Sequence, residues 1–299
     1  MTTQVGFIGV GAMGEPMAAS LLRAGCAVTV CAHLNRAPVE RLVAAGALDG
    51  GDPAGVARAS TFVITCVPDA PQVEEALFGP AGATRGAAPG SVFIDMSTIS
   101  PVATRSIHER LRAGGFRFVD APVSGGTARA KTGTLTIIVG ASDDDFATVQ
   151  PVLTAMGTPN HVGGVGLGEV VKLVNQILIA NTMLANVEAL TFDAKAGADI
   201  DATLRVIGTA TGANYLLENW LPKSWLAGSH AGGFALDLLR KDLAAALDSA
   251  RALGVPMPAS ALAYQLFTAS SGEGHGRDDY TSVALSYERS AGVRVRKKN

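Results

Sequence analysis

Residues 6–17 read GFIGVGAMGEPM. A short β-branched and aromatic run, QVGFIG at 4–9, enters glycines spaced Gly9-x-Gly11-x-x-Gly14, and EPMAASLLRAG follows with helical character. The spacing alone is a weak signal. A strand before it and a helix after it turn it into a dinucleotide-binding turn. Gly9 permits the tight turn, Gly11 lets a pyrophosphate approach the backbone, and Gly14 lets the helix pack on the strand. The N–H groups of the turn, which also contains Ala12 and Met13, and the helix dipole then face the phosphates.

The pattern continues outward from that turn. AVTVCA (27–32), STFVITCV (60–67), SVFIDMS (91–97), RFVDAPV (117–123) and GTLTIIVGA (133–141) read as strands. NRAPVERLVAAGA, PVATRSIHERLRAGG and DDDFATVQPVLTAMG read as helices, two with an early proline and one with an acidic first turn. Strands alternating with helices predict βαβ units and a mostly parallel sheet. The alternation stops near residue 163, and the remaining chain carries almost no strand signal. The expected fold is an α/β Rossmann-type domain over 1–163, followed by an all-α domain over 164–299. LGEVVKLVNQILIANTMLANVEALTFDAKAGA predicts one helix of about thirty residues that opens the second domain.

A carboxylate at the end of the second strand selects NAD by binding the ribose 2′-hydroxyl. None occurs between Val28 and Val39. The chain offers His33, Asn35 and Arg36 instead, groups that hydrogen-bond or pair with a 2′-phosphate. This favours NADP over NAD.

Composition excludes several classes. The 299 residues are 48% hydrophobic and 17% charged, with a net charge of −2. Such a balance gives no bulk attraction to nucleic acid or to a membrane surface. The basic tail RVRKKN (294–299) reads as a solvated terminus. Three cysteines without a C-x-x-C, and five scattered histidines, predict no disulfide and no metal site. The N-terminus enters a strand at once, without a signal peptide, and the apolar run Val170 to Ala180 is too short for a transmembrane helix. A cytoplasmic protein is expected.

The stretch GEVVKLVNQILIAN (168–181) is apolar enough to be buried, yet carries Lys172, Asn175 and Gln176. Together with GFIGVGAMGEPMAASL, DMSTISP (95–101), DAPVSGGTARAKTGTL (120–135) and RKDLAAALDSA (240–250), it resembles the β-hydroxyacid dehydrogenases, the group of 3-hydroxyisobutyrate dehydrogenase and tartronate semialdehyde reductase. Five motifs stand in the family's order over nearly the whole chain. The resemblance implies reversible hydride transfer at a hydroxyl carbon close to a carboxylate, and a homodimer or homotetramer formed through the helical domain. It makes Lys172 the catalytic lysine, and Ser124, Gly125, Gly126 and Asn175 substrate-contacting residues. Thr98 and Lys241 become cofactor contacts, and Val67 and Pro68 line the nicotinamide side.

Lys172 would give a proton to the carbonyl oxygen on reduction and take one on oxidation. Burial would help tune its ammonium. Asn175, one turn on, shares its face. Thr98 or Ser100 is also placed to cap the helix at Pro101. Two positions depart from the resemblance: Asn175–Gln176 replaces two asparagines, and Arg129 replaces a glycine of the substrate motif. Arg129, Tyr215 and Phe234 are candidates for shaping the pocket. The expected activity is an NADP-preferring reductase of a small semialdehyde or 2-oxo acid. The alternatives are an NAD-dependent 3-hydroxyisobutyrate-type dehydrogenase, an imine reductase, and an inert dinucleotide-binding sensor.

Overall fold

The computed structural model describes residues 2–297. Its strands are β1 (Gln4–Ile8), β2 (Ala27–Cys31), β3 (Leu48–Asp49), β4 (Phe62–Thr65), β5 (Val92–Asp95), β6 (Arg117–Asp120), β7 (Val123–Ser124), β8 (Leu135–Gly140) and β9 (Gly157–Gly163). They form one sheet in the order β3-β2-β1-β4-β5-β6-β8-β7, with β9 added on β8. The strands from β3 through β6 pair in parallel, β8 runs antiparallel to β6 and β7, and β9 returns parallel to β8.

Helices cover both faces. One face carries α1 (Gly14–Arg23), α2 (Ala37–Ala44), α6 (Gly126–Thr132) and α7 (Asp143–Thr154), and the other α3 (Pro53–Arg58), α4 (Ala70–Phe78) and α5 (Pro101–Ala113). Successive strand residues serve opposite sides. Phe7, Ile64, Ile94 and Val119 pack under the first face, while Ile8, Val63, Phe93 and Phe118 pack under the second. A sheet buried on both faces explains why these strands read as continuous apolar runs. Side-chain caps start several helices: Asp52 for α3, Asp69 for α4, Ser100 for α5 and Ser142 for α7. Ser100, and not Thr98, is therefore the cap of α5.

Helices α3, α4 and α6 and two strands escape the sequence pattern. Leu48–Asp49 is only two residues long, and β9 (GTPNHVG) is built from glycine, proline and polar residues. Among the described strands β9 pairs with β8 alone, so Pro159 sits where a missing N–H is tolerated. The alternation thus extends to Gly163.

The helix predicted from residue 167 is α8, Leu167–Ala196, 30 residues long. The chain divides into compact units inside this helix, Met1–Lys172 and Leu173–Asn299. The first turns of α8 thus belong to the unit that carries the sheet.

The second unit continues with α9 (Ile200–Ile207), α10 (Leu236–Leu253), α11 (Pro258–Ser270) and α12 (Ala284–Ala291). Its core holds Trp225, Leu239, Leu243 and Phe267, all fully buried. The C-terminal tail does not read as predicted. Val295 is buried, and the Glu288 carboxylate accepts at Oε1 from the Trp225 indole at 2.8 Å, the Val295 N–H at 2.9 Å and Arg296 Nη1 at 2.8 Å. One apolar residue between basic neighbours docks the segment, and Lys298 and Asn299 lie outside the described residues. Glu288→Ala would leave these three donors without their acceptor. It is expected to lower unfolding free energy by about 3 kcal/mol in a urea titration. A change under about 0.5 kcal/mol would show that the tail is not held through this carboxylate.

Candidate active site

The glycine turn has the shape its spacing requires. Gly9 has φ +99°, and a Cβ there would overlap the Cys66 carbonyl. A Cβ on Gly14 would overlap the Gly9 carbonyl, whereas Gly11 faces open space, with nothing within 4 Å of where its Cβ would lie. Gly11 and Ala12 are exposed, Met13 is half-buried, and no side chain caps α1. Close packing behind and an uncapped helix start in front fit the pyrophosphate of a dinucleotide.

At the end of β2, His33, Asn35 and Arg36 are all exposed. Asn35 Oδ1 accepts from the Ala37 N–H at 3.1 Å, which shapes the turn into α2. Arg36 Nη2 pairs with Asp49 Oδ2 at 2.5 Å. Asp49 lies on β3, the parallel neighbour of the second strand. Burial has little weight here; the Gly51 N–H and Arg36 hold the Asp49 carboxyl below the ordinary range.

The loops after β4 and β5 are tied together. Thr65 Oγ1 donates to Asp95 Oδ1 at 2.8 Å, the Ser97 N–H donates to the same oxygen at 3.1 Å, and the Val67 N–H donates to Ser97 Oγ at 3.0 Å. Asp95 is buried. This strut fixes Val67 and Pro68 beside the segment that carries Thr98, all at the C-terminal ends of parallel strands, where such sheets bind ligands.

Ser124 ends β7, and Gly125 and Gly126 turn the chain into α6 with φ +132° and +65°. All three are half-buried. Arg129 folds back over this turn. Its Nε donates to the Thr134 carbonyl at 2.7 Å, and its side-chain carbons lie where a Cβ on Gly125 would go.

Lys172 is buried on α8. The start of this helix is held by Asp120, the last residue of β6. Asp120 Oδ1 accepts from the Gly166 N–H at 2.7 Å and Oδ2 from the Glu169 N–H at 3.0 Å. A Cβ on Gly168 would run into that carboxylate, so glycine is needed at this close approach. Burial pushes the Asp120 carboxyl up to about 6, against the lowering effect of the two N–H groups.

In the second unit, Asn175 is half-buried and Gln176 fully buried. Asn175 Nδ2 donates to Gln176 Oε1 at 3.0 Å, and Gln176 Nε2 donates to Asp242 Oδ2 at 2.7 Å. Lys241 Nζ lies 3.0 Å from Asp242 Oδ1. The predicted residue Lys241 is therefore tied to the amide pair through its neighbour on α10. Of the other pocket candidates, Tyr215 is exposed and Phe234 packs edge-on against Tyr280.

Residues 4–171 match the NAD binding domain of 6-phosphogluconate dehydrogenase, and residues 166–287 match the NAD-binding region of NADP-dependent 3-hydroxyisobutyrate dehydrogenase. The chain is 42% identical over 294 residues to 2-(hydroxymethyl)glutarate dehydrogenase of Eubacterium barkeri, covering 98% of this chain and 97% of that one. The chain belongs to the 3-hydroxyisobutyrate dehydrogenase family. Another member, 2-hydroxy-3-oxopropionate reductase of Escherichia coli strain K12, is 36% identical over 95% of this chain and 97% of its own. Among solved structures, the 3-hydroxyisobutyrate dehydrogenase of Mycobacterium tuberculosis with L-serine superposes with a TM-score of 0.87 at 28% identity, over 96% of this chain and 99% of that one. Members of this family are named as dehydrogenases and reductases of small hydroxy acids, and the protein is a hydroxyacid dehydrogenase of that group.

Within the family frame, four residues were missed from sequence: Asp49, Asp95, Asp120 and Asp242. Each stands at the end of a strand or inside a helix, and its role depends on a partner distant in sequence. The cue available for Asp95 and Asp120 was a carboxylate closing an otherwise apolar strand.

Asp120 also sets a pH dependence. Its folded pKa lies above the ordinary carboxylate value, so the folded chain holds a proton that the unfolded chain has released between about pH 4 and pH 6. Stability contributed at this position is present at low pH and declines through that window, by roughly 3 kcal/mol in all. Asp120→Asn removes the titration. Urea unfolding at several pH values is expected to show the wild-type protein losing stability relative to the variant from pH 4 to 6; parallel profiles would refute the assignment.

Proposed function

We propose that the protein interconverts a small semialdehyde or 2-oxo acid with its hydroxy acid, using NADP(H) in preference to NAD(H). The observation that carries this reading is the buried Lys172 on a helix whose start is tied by Asp120 to the strand leading into Ser124–Gly126. A proton-transferring group and a carboxylate-holding turn are thereby anchored to the same strand end. The relatives 2-(hydroxymethyl)glutarate dehydrogenase and 2-hydroxy-3-oxopropionate reductase, by their names, act on acids whose reacting carbon lies near a carboxylate.

The nicotinamide cofactor, when bound, supplies or accepts the hydride. The protein's own groups do the rest. Ser124 and the N–H groups of Gly125 and Gly126 hold the substrate carboxylate, with no side-chain bulk at the glycines. Lys172 donates a proton to the carbonyl oxygen on reduction and withdraws it from the hydroxyl on oxidation. The glycine turn from Gly9 to Gly14, together with Val67, Pro68 and Thr98, holds the cofactor. Arg129, bent over Gly125, gives the acid turn a further cation and biases it toward substrates with a second anionic group.

The preference for NADP rests on Arg36, whose guanidinium is oriented by Asp49 beside His33 and Asn35. A second reading, NAD-preferring dehydrogenation of the 3-hydroxyisobutyrate type, draws on Asp49 itself, a carboxylate at the edge where a ribose hydroxyl would lie. The reading includes a homodimer or homotetramer and a cytoplasmic, reducing setting. Cys26, Cys31 and Cys66 are free thiols, and burial pushes Cys31 up to about 12.

The test is a spectrophotometric screen with both cofactors. Reduction is assayed with glyoxylate and with succinic, tartronate and methylmalonate semialdehydes, and oxidation with 2-(hydroxymethyl)glutarate; cyclic imines serve as the control for an imine reductase. Turnover of none of the acids would favour an inert sensor. In the same assay, Lys172→Ala is expected to lower kcat by at least about a hundredfold while cofactor affinity stays within about twofold. Near-normal turnover would remove the lysine from the chemistry. Arg36→Ala is expected to weaken NADPH by about tenfold and NADH much less. Equal losses for the two cofactors would favour the NAD reading.

A further inference from the structure

We infer that Asp242 and Gln176 form a directional relay that fixes which end of the Asn175 amide is presented beside Lys172. The inference rests on the proposed role of Lys172. Its starting point is the chemistry of Asp242, a carboxylate 2% exposed with a lysine ammonium on one oxygen. Such a carboxylate accepts hydrogen bonds and donates none. The Gln176 atom 2.7 Å from its other oxygen must therefore be the amide nitrogen. That choice turns Gln176 Oε1 toward Asn175, so the Asn175 atom 3.0 Å away must be Nδ2. Asn175 is left with its carbonyl oxygen, an acceptor, as the end of the amide that Gln176 does not hold.

The direction matters for the reaction. Asn175 follows Lys172 by three residues on a continuous helix, so the two share a face. An acceptor there receives a hydrogen bond from a protonated lysine or from a substrate hydroxyl. A donor there would instead favour the unprotonated lysine and the carbonyl substrate. The relay thus biases the site toward the ammonium and alcohol forms. Gln176 and Asp242 are positioning residues: they act through Asn175 and touch no reacting atom. Lys241 joins a residue expected at the cofactor to the same carboxylate, so the cofactor side and the amide pair have one buried anchor.

The test reverses the polarity and then restores it. Gln176→Glu removes the donor toward Asp242 and opposes two carboxylates. It is expected to lower kcat about thirtyfold, the cost of a lost charge-assisted hydrogen bond, and to lower Tm. Adding Asp242→Asn returns a donor on the α10 side. The new carboxamide donates to the new carboxylate, which still accepts from Asn175 Nδ2. The double variant should recover kcat to within about threefold of wild type and recover Tm. Asp242→Asn alone leaves both amides able to flip, and should turn over more slowly than the double variant.

The assay is oxidation of 2-(hydroxymethyl)glutarate with NADP+. If Gln176→Glu does not fold, the comparison of the double variant with Asp242→Asn still decides. A double variant no faster than Asp242→Asn, or Gln176→Glu with unchanged kcat, overturns the relay. The Tm recovery reads hydrogen-bond direction without turnover, so an enzyme inactive on this substrate still reports on the relay: absence of Tm recovery overturns it, and recovery supports it. Turnover retained in Lys172→Ala overturns the proposed chemistry instead.

Discussion

The arrangement of the first unit depends on a carboxylate kept away from water. Asp120 closes β6 and accepts hydrogen bonds from Gly166, just before α8, and from Glu169 in its first turn. A buried carboxylate is costly, and the cost is visible in its raised pKa. Two N–H groups that would otherwise be unsatisfied at a buried helix start offset part of it. An asparagine offers only one acceptor, and its amide nitrogen would face a backbone N–H. The constraint also explains the glycine at 168, where any Cβ would strike the carboxylate. Everything that follows on α8, Lys172 included, inherits its register and depth from this cap.

The same device recurs with different reach. Asp95 holds Thr65 and Ser97, and through Ser97 the loop at Val67. Asp49 crosses from β3 to Arg36, and Asp242 crosses from α10 to Gln176. In each case an acid reaches across the fold to fix a residue or loop distant in sequence. Hydrogen bonds to charged groups are stronger and more directional than neutral ones, which suits them to holding loops at strand ends. It also makes these positions sensitive to loss, since removing the acid leaves donors without partners.

How much of this was legible in the sequence follows from the range of the interactions. The glycine turn, the βαβ alternation and the long helix are local patterns and were legible as such, whereas the short helices α3, α4 and α6 were not read. Leu48–Asp49 and GTPNHVG were missed because a two-residue strand has no period to detect and because Pro159 and its polar and glycine neighbours hide the other. The tail was misread because composition favours solvent for RVRKKN, while a single buried Val295 and one glutamate sixty-three residues from Trp225 decide otherwise. Thr98 and Ser100 were equal candidates as caps until geometry chose Ser100. The candidate site divides in the same way. Ser124–Gly126 and Lys172 stand in contiguous motifs, whereas the acids that hold their surroundings act across 13 to 66 residues of sequence.

Range also accounts for the glutamine that interrupts α8. Residues 175 and 176 are adjacent on the helix and point about 100° apart, so their side chains meet only if one is long. Gln176 bridges from Asn175 at 3.0 Å to Asp242 at 2.7 Å. An asparagine at 176 is one carbon–carbon bond shorter, about 1.5 Å, and would stretch at least one of these contacts beyond hydrogen-bonding distance. A chain with asparagine there must orient Asn175 by other means, or leave its amide free to turn. The departure from two asparagines is then matched to the buried acid opposite it, and the glutamine that looked like an intrusion in a core helix holds the Asn175 amide in a single direction.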